Sequence, residues 1–188
     1  MDDLGQLKGD LHFVRAVVET ADRDGSPTMI YFLWAIVGLC GFALVDFGHT
    51  WVPLYWSIAG PAGFLASAYL GWRHARRTGQ VTAPAGSRYL LHWGGMLTAI
   101  FLAVLMPIGG LLQWDGLGPA ILLILALGYF QAGVHLDRAL LWIGLLMGAG
   151  YLFVLFVSVY AWTVVGLVLA TALTIAGLRG GRQHEAAA

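Results

Sequence analysis

The chain has 188 residues, of which 59% are hydrophobic and 11% charged, and its mean hydropathy is +0.77. A monomeric globule of that composition would be insoluble, and this length leaves no room for a soluble catalytic module beside the apolar segments. Ten basic and ten acidic residues cancel, which gives no indication of nucleic acid as a partner.

Residues 1–27 carry Leu4, Leu7, Leu11, Val14 and Val18 at spacings of three and four, with Gln6, Lys8, Asp10, Arg15 and Glu19 between them. That pattern predicts a short amphipathic helix with one apolar stripe. Asp2 or Asp3 can cap its start, and Asp22, Gly25 and Pro27 end it. Gly5 and Gly9 weaken it by about 1 kcal/mol each, so it needs a surface to fold against. The surface is either the membrane and the protein's own bundle or a cytoplasmic partner, which the stripe Leu4 to Val18 would contact. Six acidic residues against three basic ones argue against electrostatic binding to anionic lipid, and the segment lacks the basic flank and cleavage site of a signal peptide, so it is expected to be retained.

Six apolar stretches follow: Thr28 to Phe47, Pro53 to Trp72, Tyr89 to Gly110, Gly116 to Leu136, Ala139 to Val157 and Val159 to Leu178. Each is long enough, at about 1.5 Å rise per residue, to cross a hydrocarbon core about 30 Å thick. Ala139 to Leu178 is nearly unbroken and would be about 60 Å long as one helix, so it must fold back near Ser158 and Tyr160. The expected fold is all-α: a polytopic bundle of six transmembrane helices, arranged as three hairpins, over residues 28–178. Residues 179–188 read as a disordered cytoplasmic tail.

Charge sets the orientation. Lys8, Arg15 and Arg23 precede the first span, Arg73, Arg76, Arg77 and Arg88 lie between the second and third, Arg138 between the fourth and fifth, and Arg179 and Arg182 after the sixth. The remaining connections carry none, so the positive-inside rule makes both termini cytoplasmic. Trp34, Trp72, Trp93 and Trp142 then fall near cytoplasmic ends and Trp51, Trp56, Trp114 and Trp162 near outer ends, as interfacial anchors or packing elements. The third and fifth spans open alike, at Leu90 to Gly94 and Leu140 to Gly144, a likeness that a boundary tryptophan produces with or without common ancestry.

Small residues four apart, Gly144 with Gly148, Gly166 with Ala170 and Ala62 with Ala66, mark close helix contacts within the chain or between copies. Gly60, Pro61 and Gly63 place a kink at the middle of the second span, which can open a ligand pocket. Gln131 and His135 share a face of the fourth span, with His92 at a similar depth in the third. Two imidazoles on neighbouring helices can hold a haem iron, or simply hydrogen-bond near the interface. Asp46 and His49, with Asp115 on the next outer loop, could bind zinc or pass a proton but are loosely spaced, and Asp137 reads as the cap of the fifth helix.

Absences narrow the field. No span holds a lysine for a Schiff base, there is no Gly-x-Ser-x-Gly setting with a usable histidine, no pair of intramembrane carboxylates and no phosphate-binding glycine loop. Cys40 is the only cysteine, which rules out a disulfide within the chain and cysteine metal sites. No catalytic residue, metal ligand set or cofactor is assigned.

The run Asp10, Leu11, His12, Phe13, Val14, Arg15 through Glu19, leading into a span with Trp and Gly, resembles the Asp-Leu-x-Phe-Ile-Arg-x-x-x-Glu helix that opens small, uncharacterised bacterial six-helix integral membrane proteins. Val14 stands where that pattern tends to isoleucine. The resemblance covers the N-terminal segment and the topology and implies at most an accessory role. The expected function is therefore a non-enzymatic accessory or regulatory membrane subunit. It would sit in the lipid bilayer and act through protein contacts, with homo-oligomers open. A small-molecule carrier with its pocket near Pro61, Gln131, His92 and His135 is the first alternative, and a bis-histidine haem protein the second.

Overall fold

A computed structural model describes residues 28–78 and 83–185, with side chains over 28–76 and 87–180. The stripe Leu4, Leu7, Leu11, Val14 and Val18 lies outside the described residues. The described chain forms α1 (Thr28–Phe47), a 3₁₀ turn (His49–Trp51), α2 (Val52–Thr78), α3 (Ala83–Ile108), α4 (Trp114–His135), α5 (Arg138–Phe156) and α6 (Ala161–Glu185). There is no strand among the described residues. In hydrocarbon a lone segment can satisfy its own backbone only as a helix, and these sequences offer no polar edge to any other structure.

Five helices, α1, α3, α4, α5 and α6, are both long and apolar enough to cross a membrane, which makes this a multi-pass helical membrane protein. The second expected span is the exception. Its helix has 27 residues, about 40 Å, so length is not lacking. Apolarity is, because Ser57, Gly60, Pro61, Gly63, Ser67 and Gly71 take up positions that leucine or valine hold elsewhere. The long apolar run from Ala139 breaks at residues 157–160, between α5 and α6. Tyr160 adopts φ +53° there and stacks on Phe47 of α1 at 5.5 Å. Beyond Leu178, α6 continues to Glu185, because leaving an apolar environment does not by itself end a helix.

Each helix packs antiparallel to its chain neighbours, and α6 returns to α1; α2 and α3 alone stay apart, their described backbones nowhere within 8 Å. Arg73, Arg76, Arg88, Arg138 and Arg179 consequently gather at one end of the bundle. All three expected hairpins, α1–α2, α3–α4 and α5–α6, make contact. The most extensive faces are α1 on α6 and α4 on α5, which join one hairpin to another.

Glycine explains why those faces are the closest. A Cβ at Gly144 would run into the backbone of Phe130 and Ala126, and one at Gly133 into the backbone of Leu141, so α4 and α5 touch main chain to main chain. Gly166 and Gly177 of α6 similarly admit Phe42 and Tyr31 of α1. Gly148, four residues from Gly144, has nothing within 4 Å and plays no such part. The core that results joins Tyr31, Ala35 and Phe42 of α1 to Leu122, Ala126 and Ala132 of α4, Ile143 and Met147 of α5 and Val165, Leu169 and Leu173 of α6.

The two glycines of α5 give a matched test. Gly144→Ala forces the α4 and α5 backbones apart and is expected to lower stability by about 1–3 kcal/mol, despite alanine's better helix propensity. Gly148→Ala meets no neighbour and should be neutral or stabilising by up to about 1 kcal/mol. Thermal unfolding in mild detergent checks both, and equal effects would contradict the packing described.

Candidate functional site

The strongly polar side chains of the bundle sit where helices end. Asp137 follows α4 and precedes α5 with extended backbone, φ −148° and ψ 118°, which leaves its carboxylate free to turn onto the new helix. Oδ1 accepts the Ala139 amide at 2.9 Å, the cap expected from sequence. Oδ2 accepts the Tyr31 hydroxyl at 2.5 Å, across 106 residues, and so ties the start of α1 to the α4–α5 corner.

Asp46, near the end of α1, does the same job for a helix far away in the chain. Its Oδ2 accepts both the amide of Thr163 at 2.7 Å and the Thr163 hydroxyl at 2.6 Å, in the first turn of α6. A carboxylate at a helix N-terminus meets unpaired amides and the positive end of the dipole, so both aspartates stand where a helix start lacks acceptors. Neither Tyr31 nor Thr163 was expected as a partner. The sequence held a signal for Asp137, its place just ahead of an apolar run, but none for Asp46, whose partner Thr163 lies 117 residues on.

The proposed zinc or proton group at this end does not assemble. Asp46 is occupied by Thr163, and His49 and Asp115 are exposed on separate segments. Among the described residues, no three His, Cys, Asp or Glu side chains come together as a metal would require.

The four candidate pocket residues are also dispersed. His92, half-buried on α3, donates from Nε2 to the Gly128 carbonyl of α4 at 3.0 Å and lies edge-on to Trp93, which in turn packs edge-on to Tyr129. That bond leaves Nδ1 as the ring nitrogen of His92 with a lone pair. His135 is seven residues beyond Gly128, about 10 Å further along α4, and is exposed, as is Gln131. Pro61 is exposed on α2, a helix that packs on α1 and touches neither α3 nor α4 among the described residues. A cavity of about 330 Å³ opens between α1 and α2, lined by Leu44, Trp51, Leu54, Tyr55, Ile58 and Ala59 and not by Pro61, with almost no polar surface to orient a solute.

Hydroxyls inside the helices turn inward on their own backbone. Ser57, Ser67, Thr98, Thr171 and Thr174 each donate to the carbonyl four residues earlier, at 2.7–2.9 Å. Ser67 also accepts the indole N–H of Trp34 at 2.9 Å, which seats that ring on Gly63 and fastens α1 to α2. Tyr55 of α2 returns the contact by donating to the Val37 carbonyl at 2.7 Å.

Tryptophans divide into two groups on this evidence. Trp34, Trp56, Trp93 and Trp162 are half-buried between helices: Trp56 over Gly41, Trp162 stacked on Phe42 at 5.8 Å, Trp34 and Trp93 as above. Trp72 and Trp142, at 52% and 69% exposed, stand at the arginine end, and Trp51 and Trp114, at 62% and 64%, at the other. These four alone have the exposure an interfacial belt requires. Comparison of the chain with protein-family models, with curated proteins and with solved structures returns no match.

Removing the two carboxylates measures what they contribute. Asp46→Ala should cost about 1–2 kcal/mol, the loss of a helix cap, with Asp46→Asn costing less because one acceptor oxygen survives. Asp137→Ala should cost about 2–3 kcal/mol, since it removes a cap and strands the Tyr31 hydroxyl. Tyr31→Phe leaves the cap in place and should cost about 1 kcal/mol. Thermal melts in detergent with all four variants give the comparison, and an Asp46→Ala protein as stable as the parent would remove the capping role.

Proposed function

We propose that this protein is an inner-membrane subunit that works by contact with other proteins and performs no chemistry of its own. Six helices cross the membrane in this reading, α2 included, and both termini are cytoplasmic. The observation that carries it is where the polar side chains go: Asp46, Asp137, His92, Trp34, Tyr55 and the back-bonded hydroxyls join helix to helix or helix to itself, and apart from Tyr31 and Tyr129 no polar or charged side chain is buried among the described residues. A transporter or redox centre keeps intramembrane polar groups in reserve for its substrate, whereas Asp46, Asp137, His92, Trp34 and Tyr55 are engaged with the fold.

Two features supply contact surfaces. One is the apolar stripe Leu4, Leu7, Leu11, Val14 and Val18. The other is the arginine-rich region from Arg73 to Arg88, which emerges at the end of the bundle where α1 begins. A bilayer anchor with one cytoplasmic stripe and one basic loop has the makings of an accessory or regulatory subunit.

The experiment is affinity purification of the full chain in mild detergent, beside a Leu7→Asp/Leu11→Asp variant. A partner recovered with the parent and lost with the variant, both inserted equally, is the expected result. A visible spectrum of the same material is expected to be featureless. A Soret band that disappears in His92→Ala would replace this reading with a haem protein, and a partner recovered equally by both proteins would take the stripe out of it.

A further inference from the structure

Between α2 and α3 the bundle has a seam. Thr78 and Ala83 are joined by four intervening residues, whose extended reach of about 18 Å caps the separation of the two helix ends. Their described backbones are nonetheless nowhere within 8 Å, while every other pair of chain neighbours packs. The opening at this end is thus wider than a helix contact and no wider than about two acyl chains or one helix could fill.

Its mouth is charged. Arg73 lies five residues before the end of α2 and Arg88 five after the start of α3, so each Cα atom sits about 7.5 Å from its own helix end. Arg76 is one turn nearer the mouth, its guanidinium 4.2 Å from the centre of the Trp72 ring, an arrangement that holds the charge at the level where an exposed tryptophan belongs. All three arginines are exposed, and no carboxylate pairs with any of them among the described residues. Below them exposed apolar side chains share the same helix faces, Leu65 and Tyr69 with Arg73 and Arg76 on α2, and Leu91, three residues after Arg88, on α3. Phosphate at the mouth and hydrocarbon beneath it is the chemistry of one kind of molecule.

We propose that the seam between α2 and α3 binds an anionic phospholipid, with Arg73, Arg76 and Arg88 on its headgroup phosphate and its acyl chains along the two helices. The lipid takes the place of the missing helix–helix contact and completes the bundle on that side. α2, the one helix not apolar enough by itself to count as a span, is where such a companion is most needed. A second protein helix would fit the width but leaves the three guanidinium groups without a counter-charge, which is why lipid is the occupant chosen.

The test is native mass spectrometry of the purified full chain titrated with phosphatidylglycerol or phosphatidylcholine. Phosphatidylglycerol should bind the parent and phosphatidylcholine should not. The triple variant Arg73→Gln/Arg76→Gln/Arg88→Gln should weaken phosphatidylglycerol binding on the order of 100-fold, from about fivefold per arginine. The matching lysine triple keeps the charge and should stay within about tenfold of the parent, which also shows that the site folds. Arg138→Gln/Arg179→Gln, at the same end but away from the seam, should stay within about twofold. Equal binding of both lipids, an unaffected glutamine triple, a lysine triple as weak as the glutamine triple, or an equal loss in the Arg138 and Arg179 double variant each overturns the proposal. So does a dimer of the parent that excludes lipid from the seam.

Discussion

α1 is held at both ends by carboxylates, and the arrangement of the other helices follows from that. Near its start Tyr31 reaches Asp137 at the α4–α5 corner, and near its end Asp46 holds the first turn of α6. Hydrogen bonds to an ionised partner are about twice as strong as neutral ones, and surroundings poor in water strengthen them again. Asp46 fixes the start of α6 beside the end of α1, and the glycines at 166 and 177 let the two helices lie close. α2 then hangs on the outer side of α1 through Trp34, Ser67 and Tyr55.

Much of this architecture can be read in the sequence, and the reasons differ from element to element. Helix limits follow from apolar length: α1 is found where expected, α5 is shifted by one residue from its expected Ala139 to Val157, and the break near Tyr160 follows from the thickness of a membrane. Asp137 could be named as a cap because a cap and its helix are adjacent in sequence. What stays hidden is everything that depends on which face of a helix is inside. A soluble helix reveals its buried face by a polar opposite side, but α4 and α5 are apolar all round, so their buried and exposed residues look alike until packing is known.

Small residues and tryptophans illustrate the same limit. Gly144 and Gly148 have equal claims by spacing, yet one touches the neighbouring backbone and the other touches nothing. Eight tryptophans all lie near helix ends, and only geometry separates the four that face outward from the four that lock helices together. Trp34 is the clearest case. Its ring could have marked a membrane boundary, and the hydroxyl of Ser67 with the bare backbone of Gly63 gives it a seat between α1 and α2 instead. For the candidate pocket the obstacle was different: Pro61 belongs to a helix that never reaches α4, and no pattern in a single sequence states the order in which helices pack.

That order has a consequence for how the molecule is made. α1 emerges from the ribosome first, but the threonine that Asp46 binds lies 117 residues later, a delay of about 6–23 s at ordinary rates of synthesis. Through that interval the carboxylate and the glycine-matched face of α1 have no native neighbour except α2. The bundle closes only when α6 reaches α1. It must keep its first helix waiting at the edge of the membrane interior until its last helix arrives, so the step that closes the structure is also the most non-local one in the chain.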